Sequence, residues 1–425
     1  MTAFACRGPA FQVGSVEKAT SCTPDEDIIV APECGVFVAP GATDGDGSQE
    51  APLGSIQSAI DSGAPVVYVC IDADETPFHE SLRIPPGVTL YGGLDCSDWR
   101  WSLDARSRVE AASGPAALIL EPGSGAHMEG FELVGPHPQG PSESSIGIIA
   151  EGAVASFSRV DIQVFDGTPG ADGASGDDGM PGAAGADGSD THGGAGGVAC
   201  NAKGGDGGLG GPSGAPSTSG APPGLGGAAG DVGDCTTLRD GHNNLQTAAD
   251  GSPPDSAGTL SKDGFQPPSA GKGATGGSGG GGAGGSGVTA QGGGGGGSGG
   301  CGGEGGEAGG SGGSSIGIVW LLGSNLAFEQ CSVKVGAGAN GGSGAAGGAG
   351  ATGGAGGNGF GTGCRGGAGG KGASGGKGAN GVGGHSILIA YQGAVEPSRQ
   401  GLAGKDPTDA GAPGGIAEPV YRFEP

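Results

Sequence analysis

Ten cysteines are the first residues of this 425-residue chain whose chemistry could matter, at positions 6, 22, 34, 70, 96, 200, 235, 301, 331 and 364. No two form a Cys-x-x-Cys pair, so the spacing of a zinc ribbon is absent. An even number scattered among turn-like stretches points to disulfides and an oxidising compartment. Cys70 and Cys96 fall about one repeat apart, while Cys200, Cys235, Cys301 and Cys364 fall at breaks in glycine-rich runs, where they could staple segment ends. Their connectivity stays open, as does the alternative of reduced, buried thiols. A second candidate is TDGDGS at 43–48, which is similar to the opening of a calcium loop but lacks the distal glutamate of an EF-hand. Asp44 and Asp46 are therefore read first as turn residues and only second as calcium ligands. The six histidines (His79, His127, His137, His192, His242, His385) show no metal spacing, and Asp177-Asp178, inside a Gly-X-Y run, is expected to face solvent.

The elements that would position such groups are unusual. Glycine supplies 109 residues, about a quarter of the chain against roughly 7% in average proteins. Lys and Arg total 18 against 44 Asp and Glu, a formal net charge of −26, so nucleic acid is excluded as an expected partner. No apolar run is long enough for a transmembrane helix. The glycine is unevenly placed: 166–314 carries 56 and 336–384 carries 26, leaving 27 for everything else. An ordinary sequence is thus interrupted by two glycine-rich inserts. The large insert has net charge −11, whereas Arg365, Lys371 and Lys377 are the charges of the small one, so the two are expected to pack side by side.

With the inserts set aside, a repeat emerges. SSIGIIAEGAVASFSRVDIQV (144–164) matches SSIGIVWLLGSNLAFEQCSVKV (314–335), SILIAYQGAV (386–395) begins a third copy, and ALILEPGSGAHMEGFELVG (117–135) is a looser earlier one. Both inserts interrupt a repeat of 21–22 residues at the same phase. Val160, Ile162 and Val164 alternate with Asp161 and Gln163, the pattern of a strand with one buried and one wet face. Gly123, Gly152, Gly323 and Gly393 separate the runs, as turns require. Short strands at this spacing with no intervening helix predict an all-β solenoid, most simply a right-handed parallel β-helix. An antiparallel sandwich with accidental similarity is the alternative.

The front of the chain narrows this. VFVAPGATDGDGSQEAPLGSIQSAI, then VVYVC, then ESLRIPPGVTLYGG (within 36–100) resembles the start of the pectin-lyase-like parallel β-helix proteins, secreted or surface proteins of many bacteria. The resemblance implies a short capping helix at about 53–61, with Pro52 at its start. An active pectin-degrading member would carry Asn-Thr-Asp, Gly-His-Gly and Arg-Ile-Lys motifs, or a lyase-type Arg with acidic calcium ligands; none occurs. Acid–base cleavage needs two converging carboxylates, and the counterpart of Asp161 one repeat later is Ser332. No catalytic residue and no cofactor are expected.

Within the inserts, glycine recurs every third residue over 167–188, 338–359 and 366–384. Collagen is the obvious reading of Gly-X-Y, but proline is sparse, and a segment that leaves a solenoid and returns wants antiparallel neighbours. The expectation is a bundle of extended three-residue-per-turn helices, polyglycine II, with 336–384 as one hairpin and 234–270 as connecting loops. For 286–300 a flexible linker and an ordered segment stay equally open.

The expected organisation is an irregular segment 1–29, β-helix with cap 30–165, glycine-rich insert 166–314, one coil 315–335, a second insert 336–384, a last coil 385–396 and an irregular tail 397–425. Residues 1–22 show no basic-then-apolar leader, and Cys6 lacks the hydrophobic leader of a lipid anchor. The cysteines and the resemblance nonetheless point to an extracellular or cell-surface location. The expected function is a non-catalytic structural or adhesin-like protein, with a surface polysaccharide or another cell-surface protein as the kind of partner. A carbohydrate-binding or carbohydrate-cleaving β-helix is the alternative, and ice binding by a flat face of small residues a further one.

Overall fold

The structure is a computed structural model that describes residues 20–424, except 27, 211–213, 223, 224, 230, 233, 234, 237 and 238. The segment expected to be irregular over 1–29 is therefore seen only from residue 20, and Cys6 lies outside the described residues. The apolar repeats form two sheets in which every strand pairing is parallel. The six-stranded sheet runs Ala417–Arg422, Ser386–Tyr391, Ser315–Trp320, Ser145–Ala150, Leu118–Leu120, Leu82–Ile84. Its register places Ile146 beside Ile316 and Ile316 beside Ile387, as the repeat arithmetic requires. The ten-stranded sheet includes Val36–Val38, Val66–Ile71, Thr89–Asp95, Gly123–Val134, Ala153–Gln163, Cys331–Lys334 and Leu402–Ala403 in that order.

The long passes of the larger sheet turn a corner at one residue each. Gly130, Arg159, Gln330 and Gly401 occupy equivalent positions on successive passes and have φ of 76°, 52°, 52° and 78°. Left-handed backbone is strained for Arg and Gln. Side chains from both sides of this corner and from the smaller sheet, among them Phe131, Phe157, Val160, Ile148 and Ile318, meet in one apolar core.

The strands SIGIIA, SIGIVW and SILIAY are buried at every position. Their second face is covered by Leu260 and Phe265, from the hairpin Thr259–Ser261/Gly264–Gln266 of the first insert, and by Phe423. Near-continuous apolar strands are what a sheet buried on both faces requires. Part of the stretch expected as connecting loops, 234–270, is thus a fastener that ties the insert back to the sheet.

The one α-helix among the described residues, Ile56–Asp61, starts later than expected. Leu53 instead bridges the strand Val36–Val38, donating to Phe37 O at 2.9 Å. Ser55 is the N-cap, accepting from Ser58 N–H, and the Glu80 carboxylate accepts the N–H groups of Ile56 (2.7 Å) and Gln57 (3.0 Å). These bonds satisfy donors that a helix start leaves orphaned. Ile56, Ala59 and Ile60, on one face, are buried in the core.

The tail departs from the expected irregularity. Ala417–Arg422 adds a strand to the smaller sheet, and Leu402–Ala403 one to the larger. Pro419 stands in that outermost strand, where a missing N–H is tolerated. The last four passes that leave the larger sheet make an excursion of ten residues or more before re-entering the smaller one: 135–144, 164–314, 335–385 and 404–416; the earlier connections, 80–81 and 111–117, are shorter. The excursion is a property of one corner, and the two glycine-rich inserts are its long members.

Candidate functional site

Few residues of the glycine-rich segments belong to a strand, yet their backbones are densely hydrogen-bonded. From the end of the larger sheet, where Val164 N donates to Lys334 O, the ladder continues with a step of three: Gly167 to Ala337, Gly170 to Asn340, Gly179 to Ala349 and Gly188 to Asn358, at 2.8–3.0 Å. Equivalent segments of successive excursions therefore run parallel, in the same register as the coils from which they leave. The two arms of the second excursion run antiparallel: Gly366 N donates to Gly357 O and Gly384 N to Ala339 O. The tail joins as well, with Gly338 N donating to Asp409 O and Gly341 N to Ala412 O.

Glycine is placed where backbones touch. A Cβ on Gly179 would lie 2.3 Å from Cys301 O, and one on Gly354 would lie 2.0 Å from Ala183 O. The segment 167–188 presents one such glycine per three residues, and 338–359 presents one to two. The run 292–297 is glycine throughout because three neighbours surround it. Its amides donate to Gly208 and Gly205 on one side, Cys364 and Gly367 on a second, and Ala186 on a third. Residues 292–300 are all buried, so the open reading of 286–300 resolves into an ordered interior strip over most of its length.

Outward-facing amides find a different acceptor. Asp166, Asp172, Asp178 and Asp187 accept, through Oδ1, the N–H of Ala337, Ser343, Ala349 and Asn358, at 2.6–2.7 Å. Asn243 and Asp250 do the same for Lys371 and Lys377 at 2.7 and 2.8 Å. Asp177 and Asp178 are exposed, as expected, and Asp178 has the further role of satisfying a neighbour's backbone amide. The inserts do pack side by side, but through backbone amides rather than paired charges: no ion pair of Arg365, Lys371 or Lys377 occurs among the described residues. Sequence reading missed this role; its signal is that each of these aspartates immediately precedes a stripe glycine.

The base of each excursion is clasped by the serines of the SSIG repeat. Ser145 Oγ accepts Phe165 N–H at 3.1 Å where the first insert departs, and Ser315 Oγ accepts Gly336 N–H at 2.8 Å where the second does. Both serines are fully buried. Beside them His385 is buried, with Nε2 donating to Ala257 O (2.7 Å) and Nδ1 accepting from Ile416 N–H (3.1 Å). This tautomer satisfies both ring nitrogens in the neutral form, and burial holds His385 below its ordinary pKa.

The six cysteines singled out from sequence are all paired: Cys70–Cys96, Cys200–Cys301 and Cys235–Cys364. The last two join segments 101 and 129 residues apart within the glycine-rich region. Cys22–Cys34 is a fourth disulfide, and Cys331 is a buried thiol. The Ser48 side chain and then the Ser48 N–H, which Asp46 Oδ1 accepts at 2.9 Å, hold Asp46 below the ordinary carboxylate pKa, and Asp44 has φ of 59°, so both shape the turn. Among the described residues no three His, Cys, Asp or Glu side chains converge as a metal site.

The outer face of the larger sheet carries a charged column that the repeat alignment did not reveal. Arg108, Glu132, Asp161 and Ser332 stand side by side on four passes. The two carboxylates are engaged separately, Glu132 with Arg108 at 3.0 Å, and Asp161 with Ser332 Oγ at 2.5 Å and Arg106 at 3.7 Å. Glu129, hydrogen-bonded to His127 and paired with Arg159, is held below the usual carboxylate range and so is ionised rather than a proton donor. A cleft of about 810 Å³ lies alongside, lined by Arg106, Arg108, Glu110, Glu132 and Trp101 among others. The Trp101 indole N–H and Arg106 Nε are buried there without a hydrogen-bond partner. No helix among the described residues is long and apolar enough to cross a membrane. Compared with protein-family models, with curated proteins and with solved structures, the chain gave no match in any of the three.

Proposed function

We propose that this chain is a short right-handed parallel β-helix whose one corner carries a polyglycine-II bundle, and that it serves as a non-catalytic, exported structural or adhesin-like protein. The observation that carries this reading is the unbroken three-residue ladder running from the sheet register into the excursions, Val164–Lys334 to Gly188–Asn358. A ladder of this length, with carboxylate acceptors at its edge, makes a rigid surface of backbone and small side chains. Four disulfides fit an oxidising, extracellular setting. Each carboxylate of the outer face is engaged with an arginine, Glu110 and Glu132 with Arg108, Asp161 with Arg106 and Glu129 with Arg159, which favours a structural over an acid–base role.

The test is to incubate the purified full chain with a panel of bacterial and plant polysaccharides and with isolated cell envelopes. Retention on envelopes without release of reducing ends or unsaturated products is the expected result. Turnover of any polysaccharide overturns the non-catalytic reading, and absence of envelope retention overturns the adhesin-like one. A second reading, carbohydrate binding, is favoured by the cleft at Arg106, a concave site lined by Trp101 and by the charged groups Arg106, Arg108, Glu110 and Glu132. Loss of glycan binding in Arg106→Ala, with the fold unchanged, would support it.

A further inference from the structure

Three Asn-Gly dipeptides lie in the second insert, at Asn340-Gly341, Asn358-Gly359 and Asn380-Gly381. Chemically they are equivalent; structurally they are not. Asn340 Oδ1 accepts Ala412 N–H at 2.8 Å, and Gly341 N–H is donated to Ala412 O at 3.0 Å. Asn380 Oδ1 accepts Gly344 N–H at 3.0 Å, and Gly381 N–H is donated to Gly342 O at 3.0 Å. In both, the amide side chain and the following backbone nitrogen are each held in a hydrogen bond.

Asn358-Gly359 stands at the far end of its run, just before the turn that begins at Phe360. Its backbone is held: Asn358 N–H donates to Asp187 Oδ1 at 2.6 Å, and Asn358 O accepts Gly188 N–H at 2.8 Å. Its side chain is exposed, and neither that side chain nor Gly359 N–H has a hydrogen-bond partner among the described residues. Gly359 is half-buried, with Gly363 O where a Cβ would stand, so the absence of a side chain lets the turn close while its N–H stays without a hydrogen bond among the described residues.

We propose that Asn358-Gly359 is a site of spontaneous, water-dependent deamidation, and that the fold withholds the same reaction from Asn340 and Asn380. Gly359 N loses its proton to base and forms a bond to Asn358 Cγ. The Cγ–Nδ2 bond breaks, and the side-chain nitrogen leaves as ammonia after taking up a proton. Water then opens the cyclic imide at either carbonyl, giving aspartate or its isomer with the backbone routed through the side chain. One amide is replaced by one carboxylate, with no oxidant or reductant. The new negative charge arises next to Asp187, and the isomer lengthens the backbone by one carbon, so either product loosens the last turn of the ladder.

Reaction at Asn340 or Asn380 first requires breaking two hydrogen bonds, which slows it by about tenfold or more relative to Asn358. The experiment ages the intact, disulfide-bonded full chain in ¹⁸O-water at mildly alkaline pH and follows each asparagine by peptide mass spectrometry. A reduced, denatured sample and an Asn358→Gln variant run in parallel. Expected are ¹⁸O-labelled aspartate and isoaspartate at position 358 first, comparable rates at all three sites in the denatured chain, and no early product in Asn358→Gln. Conversion of Asn340 or Asn380 in the native protein as fast as Asn358 overturns the proposal. So does an inert Asn358 in native protein whose denatured chain reacts.

Discussion

Substituting Gly354 by alanine adds one methyl group where two backbones meet. The added Cβ would lie 2.0 Å from Ala183 O and 2.3 Å from Ala183 C. An ordinary carbon–oxygen approach is about 3.3 Å, so the two segments must separate by about 1.3 Å. The bonds flanking this point, Gly182 N to Thr352 O and Gly185 N to Ala355 O, are both 2.9 Å. The same displacement takes each to about 4.2 Å, beyond a hydrogen bond. Two half-buried amides losing their acceptors cost about 1–2 kcal/mol each, hence about 2–4 kcal/mol of local opening free energy. Amide hydrogen exchange reads this directly: protection across 167–188 and 338–359 should fall about 30- to 900-fold in Gly354→Ala. Thr352→Ala, at an exposed side chain two residues away, should leave exchange unchanged. Exchange in Gly354→Ala within threefold of the parent would refute the claim that these glycines are dictated by backbone contact.

Ser315→Ala leaves Gly336 N–H without its 2.8 Å acceptor at a fully buried position, and is expected to cost about 1–3 kcal/mol in denaturant unfolding. Because His385 is held below its ordinary value of 6.5, the unfolded chain takes up the proton first. Stability is therefore full above about pH 6.5 and falls below it by up to about 1.4 kcal/mol per pH unit, a slope that His385→Gln should remove when unfolding is measured across that range. Replacing Cys235 and Cys364 by serine releases a 129-residue loop, against 26 for Cys70–Cys96. On chain entropy alone the losses are about 5 and about 3.5 kcal/mol, so the melting temperature should drop further for the former pair.

The parts legible in sequence were those repeated in it. Ile146, Ile316 and Ile387 recur at a fixed phase once the inserts are set aside, so the pairing of their strands followed from counting. The strand Ala417–Arg422 was not legible because an outermost strand packs against one neighbour only, and AEPVYR is free of the SIGI pattern that double burial imposes. The segment 409–415 was missed for the opposite reason: DAGAPGG is too short to display a period, although Asp409 and Ala412 accept from Gly338 and Gly341 as a longer run would. The backbone-capping role of Asp178 was not legible because an exposed acid beside a glycine shows its partner only once the neighbour whose amide it accepts is in place. Glu132 escaped notice as a neighbour of Asp161 because the earliest repeat copy diverges most.

The same physics decides what happens to 336–384 when it is cut from the chain. Between its two arms runs one hydrogen bond for every three residues, Gly366–Gly357 through Gly384–Ala339. Each net bond is worth about 1 kcal/mol, whereas fixing each residue costs about 1–2 kcal/mol, most for glycine. One interface therefore cannot order the hairpin. In the full chain further interfaces are added: Ala339 through Phe360 donate to the segment 292–313, and Gly367 through Ala379 donate to 271–283. Only with several faces covered does the number of bonds approach one per residue. The disulfides Cys200–Cys301 and Cys235–Cys364 and the serine clasps add to that state by tying segment ends together, which the isolated hairpin lacks. Expressed alone, 336–384 should therefore show no protected amides in hydrogen exchange, while the same residues are protected in the intact protein. Protection in the isolated fragment would mean that a single hairpin carries its own order, and the argument from covered faces would be wrong.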